Sequence, residues 1–429
     1  MRNNLKFIDL FAGIGGFHIA LKELGHECVF ASELSTELRK LYKINHNIEC
    51  FGDITKINVK NIPEHDILCA GFPCQTFSKA GNQKGMQEAR GKLFYEIIKI
   101  LKYHKPRYFI LENVRNIISH DKGNTWHYIS EELTKLGYFI DKNIYSPHHI
   151  NIPQHRERVF IVGSLIEQDI KGIKWFRKQN YRKSINSIML DTIQPDTLEK
   201  DKLDVLKIWQ NFISLISQNI DIPLPLWSME FGADYPINER WDEMKIDDWR
   251  NFKGSFGQSL EGCNTLEDVF RKLPHYVISQ KGYPPKWKQL YIQKNRKFYL
   301  ANKILHNCDL IDKIKAFKQE SWQKFEWNAG NENRMFNNKI IQFRGSGIRV
   351  KRDDYFPSLV TVASQIPIVG KFNRYLTPKE ASILQSLPKN IILPESNAAA
   401  FRTLGNMVNI ELVKCIVKLF IKNELVENS

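Results

Sequence analysis

Cys74 follows Pro73 directly in the run AGFPCQTFSKAG (70–81), just past the apolar residues DILC (66–69) that read as the end of a buried strand. A thiol kept for packing belongs inside the strand, as Cys69 is. A thiol on a proline-stiffened loop beyond a strand's carboxyl end stands where open α/β sheets place their chemistry. In a reducing compartment, a free thiolate there can work as a nucleophile. Three more charged groups have similar positions. Glu112 ends the strand in LENVRN (111–116), while Arg156 and Arg158 in PQHRERVF (153–160) stand just before or at the start of another. All of these are expected along one rim of one sheet.

A second set of residues suits an adenosine cofactor. DLFAGIGG (9–16) lies between a strand and a helix, so Phe11, Ala12, Gly13, Ile14, Gly15 and Gly16 form a turn whose backbone can approach a ligand at a helix N-terminus. The nicotinamide fingerprint needs a third glycine, and His18 stands in its place. On the loop alone another adenosine cofactor fits as well. Glu33 ends the next strand, where an acid can accept from both ribose hydroxyls. Asp53, followed by Ile54, ends a third, where a carboxylate could take an adenine amino proton or could simply cap a turn. The two acids favour S-adenosylmethionine over a nicotinamide.

The elements that must position these groups alternate between strand and helix through residue 165. KFIDLFAG (6–13), ECVFASEL (27–34), RYFILENV (107–114) and RVFIVGS (158–164) read as strands. GFHIALKEL (16–24), STELRKLYKINH (35–46) and LFYEIIKILKYH (93–104) read as helices, the second opened by a Ser cap. This alternation predicts an α/β fold, a mostly parallel sheet with helices on both faces. Beyond 166 the alternation stops. LTPKEASILQSLP (376–388) is a capped helix, with Thr377 as N-cap, Pro378 at the first position and Glu380 completing a capping box. LGNMVNIELVKCIVKLFIKN (404–423) reads as a Gly-Asn turn into an amphipathic helix.

The chain has 429 residues, a formal charge of +15 and seven cysteines. The odd, scattered cysteines do not suggest a disulfide framework, and no signal-type or membrane-spanning run is visible, so a reducing cytoplasm is the expected setting. The basic balance points to a polyanion, most simply nucleic acid. Residues 271–303 hold nine Lys/Arg, six aromatics and no acid. Such a stretch suits phosphate contact and base stacking, or else a solvated face over an aromatic core. Lys281, Lys286, Lys288 and Arg296 are the candidate DNA contacts within it.

DLFAGIGGF, GFPCQTFS, LENVRN, PQHRERVFIVG, RYLTPKEASILQ and GNMVN stand in order along the chain. Together they resemble the DNA (cytosine-5-)-methyltransferase family of the bacterial restriction-modification type. The likeness covers about 1–165 and 345–425, and 166–344 matches the family's variable target-recognition region by position only. The resemblance implies a Rossmann-like S-adenosylmethionine-dependent methyltransferase domain at 1–165, completed by the helix at 404–425. A smaller, irregular target-recognition domain is expected at 166–400. It implies Cys74 as the nucleophile that adds to cytosine C6 and Glu112 as the carboxyl group serving N3, in a site that disfavours the free carboxylate. Arg158 would hold the base's O2 and orient Glu112, with Arg156 beside the nucleophile loop. Methyl transfer to C5 would yield 5-methylcytosine and S-adenosylhomocysteine, without a metal. Asn406, in the terminal motif, would close over the methionine part of the cofactor. Met407 departs from the small hydroxyl residue usual there. Gln75 and Ser78 are candidates to hold a flipped nucleotide, or simple loop-bonding residues. The implied partners are double-stranded DNA and, genetically, a restriction endonuclease of matching specificity, unless the enzyme is orphan or phage-borne. A monomer is expected. The alternatives are an RNA cytosine-5-methyltransferase of the tRNA type, disfavoured by the long variable region, and an inactive DNA-binding homologue, disfavoured by the intact set of acids and thiol.

Overall fold

The structure, a computed structural model, describes residues 4–73, 92–179, 181–190, 198–278, 283–306, 309–359 and 365–421. Cys74, Gln75, Ser78 and Lys281 lie outside the described residues. The chain divides into two compact units. One holds Met1–Asp191, Asp354–Ala363 and Thr377–Ser429, and the other holds Thr192–Asp353 and Ser364–Leu376.

The first unit is built on strands β1 (Lys6–Leu10), β2 (Glu27–Ser32), β3 (Cys50–Phe51), β4 (Ile67–Gly71), β5 (Tyr108–Val114), β6 (Phe139–Tyr145), β7 (Gln154–His155) and β8 (Arg158–Ser164). All but β7 form one sheet in the order β3-β2-β1-β4-β5-β8-β6. The first five are mutually parallel, and β8 enters antiparallel to both β5 and β6. β4 and β5 are buried along nearly their whole length, as strands covered on two faces must be. Successive side chains of a strand point to opposite faces. Ile8, Leu68, Phe109 and Leu111 join one core with Phe94, Ile97 and Leu101 of helix Lys92–His104 and Leu133 of helix Asn124–Lys135. On the other face, Phe7 meets His18 of helix Gly16–Glu23, and Tyr108 meets Phe420 of helix Ile410–Phe420. Those two helices also share an ion pair, Lys414 to Glu23 at 2.7 Å. The helix expected to return to the first unit therefore does so. Cys69 is fully buried in β4.

The unit boundaries differ from the expected 1–165 and 166–400. Residues 377–400 belong to the first unit, and the break falls after Asp191. Glu380 supplies the physical reason. It completes the capping box of helix Pro378–Leu384 and, fully buried, also accepts the Leu190 N–H at 3.1 Å. Phe356–Pro357 likewise pairs with β7. The expected Gly-Asn turn is also corrected. Gly405 and Asn406 form the last turn of helix Asn397–Asn406, and the next helix is capped by Asn409, which accepts from Leu412 N–H at 2.9 Å.

The second unit is less irregular than expected. It holds a six-stranded sheet in which Lys339–Arg344 and Gly347–Arg352 form the central hairpin. Its aromatic richness makes two cores. One contains Trp209, Phe212, Trp322 and Phe325, and the other Tyr235, Trp241 and Trp249.

Candidate active site

The carboxyl ends of β1, β4 and β5 share an edge because these strands are parallel. β8 is reversed, so its first residue, Arg158, lies opposite Val114 at the end of β5. Arg158 Nε comes 3.0 Å from Glu112 Oε1, and both side chains are mostly buried. The approach is off the hydrogen-bond line, so Glu112 Oε1 has no bonded partner among the described residues. Arg158 also donates through Nη1 to the Glu157 carbonyl at 2.8 Å. The next residue of the LENVRN run, Asn113, donates to the carbonyl of Phe72 at 2.9 Å and so ties the end of β5 to the segment leaving β4.

Arg156 reaches the terminal motif, and the nucleophile loop beside which it is expected lies outside the described residues. Its Nη1 donates to the carbonyl of Gly405 at 2.5 Å and its Nη2 to that of Met407 at 3.1 Å. Burial, with Arg158 nearby, lowers its pKa to about 9, which leaves it a cation at neutral pH. It acts on the terminal motif through backbone carbonyls, so the side chain at 407 takes no part in that contact.

These residues open onto one cavity of about 590 Å³ inside the first unit. Phe11, Ala12, Gly13 and Gly16 line it from the glycine turn, with Glu33, Asp53, Ile54 and Asn406 around it. Glu33 accepts from Gly13 N–H at 2.9 Å and from Ser35 N–H at 2.8 Å, one bond to each carboxylate oxygen. Each oxygen keeps acceptor capacity for a hydroxyl donor. Asp53 caps a short turn, as the plainer reading anticipated. Its Oδ1 accepts from the Thr55 hydroxyl at 2.8 Å and the Thr55 N–H at 3.0 Å. Those bonds hold its carboxyl below the usual range, so it is an ionised acceptor at neutral pH. Ile14 and Gly15, expected in the pocket, are not among its lining residues. Ile14 is fully buried, and Gly15 backs onto His46. Phe17, Asn113, Thr403 and Val408 line the cavity and were not anticipated. Asn113 stands inside a motif already quoted, but periodicity alone gives no sign that Phe17, buried as it is, also lines a cavity.

The basic candidates of the second unit separate by direction. Arg296 pairs with Glu230 at 3.0 Å, and Glu230 is fully buried. Glu230 also accepts from the hydroxyls of Tyr235 and Tyr276. Lys288 donates to the Tyr276 carbonyl at 2.5 Å. Both therefore turn inward, against expectation. Lys286 is exposed, as are Lys294 and Lys297 further along helix Lys286–Ala301.

A doubly wound sheet with a nucleotide-sized cavity at its strand ends, carrying a carboxylate–arginine pair, defines the Rossmann-like methyltransferase class. Within that class, the C-5 cytosine-specific DNA methylase family model matches residues 5–422, and the chain belongs to that family. It is a sequence-specific DNA (cytosine-5-)-methyltransferase. It is 30% identical to type II methyltransferase M.AluI of Cellulosimicrobium cellulans, over 97% of this chain and 92% of that one. It is 37% identical to orphan methyltransferase M.SPRI of Bacillus phage SPR, over 96% and 97% of the respective chains. The solved methyltransferase EhMeth of Entamoeba histolytica shares the fold, with a TM-score of 0.52 at 15% identity, over 98% of each chain.

The close packing at the cavity wall gives a direct test. A Cβ on Gly16 would stand 2.8 Å from Val408 Cγ2. Gly16→Ala is expected to lower the melting temperature and weaken cofactor binding. Adding Val408→Ala is expected to restore part of both, as read by thermal unfolding with and without cofactor. No recovery in the double variant would contradict this packing.

Proposed function

We propose that the cavity holds S-adenosylmethionine and that the Glu112–Arg158 end of it receives a cytosine swung out of duplex DNA. Flipping costs on the order of a few kcal/mol of lost stacking and pairing. The observation that best supports the reading is Glu112 Oε1, buried beside Arg158 yet without a hydrogen-bonded partner among the described residues. A buried polar atom left in that state suits a ligand that completes it.

The cavity fits the cofactor in size and in chemistry. Glu33, oriented by two backbone N–H groups, would accept the ribose hydroxyls, and Asp53 the adenine amino group. Bound there, S-adenosylmethionine supplies an electrophilic methyl group. The chain's own residues prepare the base to accept it. The Cys74 thiolate adds to C6, while Glu112 holds a proton at N3 and so offsets the negative charge that addition puts on the ring. Arg158 fixes Glu112 and the base's O2. Arg156 is a positioning residue, because it holds the carbonyls of Gly405 and Met407 at the cavity wall. Once C5 carries the methyl group, loss of its proton and departure of Cys74 restore the aromatic ring. Duplex carrying 5-fluorocytosine in the target site has no C5 proton to lose, so it should form a stable adduct on a denaturing gel. The adduct should need cofactor and should vanish in Cys74→Ser. Binding without an adduct would sink the mechanism.

The second unit would read the DNA sequence. Helix Lys286–Ala301 has no acidic residue, and Lys286, Trp287, Leu290, Lys294 and Lys297 are all exposed on it. We assign Lys294 and Lys297 to phosphate contact in place of Lys288 and Arg296. Removing both by alanine substitution should lower the slope of log affinity against log salt by about 2. An unchanged slope would take this face out of the DNA interface. A cytoplasmic, monomeric enzyme paired genetically with a restriction endonuclease is the simplest setting.

A further inference from the structure

Behind the glycine turn, on the side away from the cavity, lies a buried polar cluster that the mechanism does not use. His46, at the end of helix Thr36–His46, places Nε2 2.8 Å from the carbonyl oxygen of Ile14. A carbonyl only accepts, so Nε2 is the protonated nitrogen of the ring. Burial lowers the His46 pKa, which keeps the ring neutral. The ring stacks on His18, with centroids 4.1 Å apart. His18 Nδ1 is 2.8 Å from the fully buried Tyr42 hydroxyl, and its backbone N–H reaches Asp9 Oδ2 at 3.3 Å. A Cβ on Gly15 would fall 2.4 Å from His46 Nε2, so the imidazole occupies the space that the glycine leaves.

The turn needs such a support. Phe11, Gly13 and Gly15 have φ of 56°, 57° and 90°, a conformation that costs energy at Phe11 and has to be held by bonds from outside. Gly13 N–H is held by Glu33 and Ala12 N–H by the Ser32 carbonyl, at 2.9 and 3.0 Å. Among the described residues, His46 is the only side chain bonded to the Ile14 carbonyl.

We propose that His46, packed on His18, is a positioning residue for cofactor binding: it fixes the glycine turn in its ligand-ready shape by holding the Ile14 carbonyl from behind. The inference rests on the assignment of the cavity to S-adenosylmethionine. It concerns affinity for the cofactor, since His46 lies across the turn from the reacting atoms.

The test is calorimetric titration of the whole protein with S-adenosylhomocysteine, without DNA, followed by steady-state kinetics. Wild type is titrated first, and failure to bind would overturn the cofactor assignment itself. His46→Phe keeps a ring on His18 and removes the donor. It is expected to weaken binding and raise KM for S-adenosylmethionine about tenfold, as loss of one buried hydrogen bond predicts, with kcat at saturation within about twofold. His46→Gln, which restores an N–H donor, should recover most of the affinity. Wild-type binding and KM in His46→Phe would overturn the inference while leaving the cofactor assignment intact. A fall in kcat with KM unchanged would overturn it too. If His46→Phe does not fold, Tyr42→Phe, which frees His18 beneath His46, should raise KM about threefold. An unchanged KM in that variant would count against the proposal.

Discussion

The site depends on one reversed strand. β8 runs antiparallel between β5 and β6, so its amino end meets the carboxyl end of β5. A parallel strand in that place would carry its first residue to the opposite edge of the sheet. Reversal brings Arg158 to Glu112 at 3.0 Å in surroundings where neither charge is well solvated. A buried carboxylate needs a partner, and removing one member of such a pair costs about 3–5 kcal/mol. The pairing therefore holds the rim together.

Arg156 extends the same logic to the end of the chain. Two residues before Arg158, it donates to carbonyls near residue 406, so the C-terminal motif is tied to the β7–β8 connection. Helix Ile410–Phe420 then packs beside Gly16–Glu23, and Val408 presses on Gly16. The cavity is thus walled by segments from both ends of the sequence, each fixed by a small number of buried polar bonds.

The parts of this site that could be read from sequence are those with strand-end logic. Glu33, Asp53 and Glu112 follow apolar runs, and a parallel sheet must bring such ends to one edge. Capping chemistry was equally legible, and the Thr377 and Glu380 box forms as its residues dictate. Direction within a segment was not legible. Arg296 and Lys288 sit in a basic, aromatic run, but a buried glutamate 66 residues before Arg296 and a carbonyl of Tyr276 draw them inward. Ile14 and Gly15 lie within a loop motif, yet their backbones face the helix behind it. The unit boundary was misplaced for a related reason: a fully buried Glu380 binds its helix to Leu190, and no local pattern reports a partner so distant in the chain.

The roles proposed for the cavity, the rim pair and the second unit together describe an enzyme that marks one cytosine within a short duplex sequence. Bisulfite sequencing of genomic DNA from a host expressing the protein tests this most directly. The expected result is a recurring short motif in which one cytosine resists conversion, and full conversion at that motif when Cys74→Ser is expressed. A genome converted at every cytosine, with cofactor-derived methyl groups recovered in RNA, would contradict it.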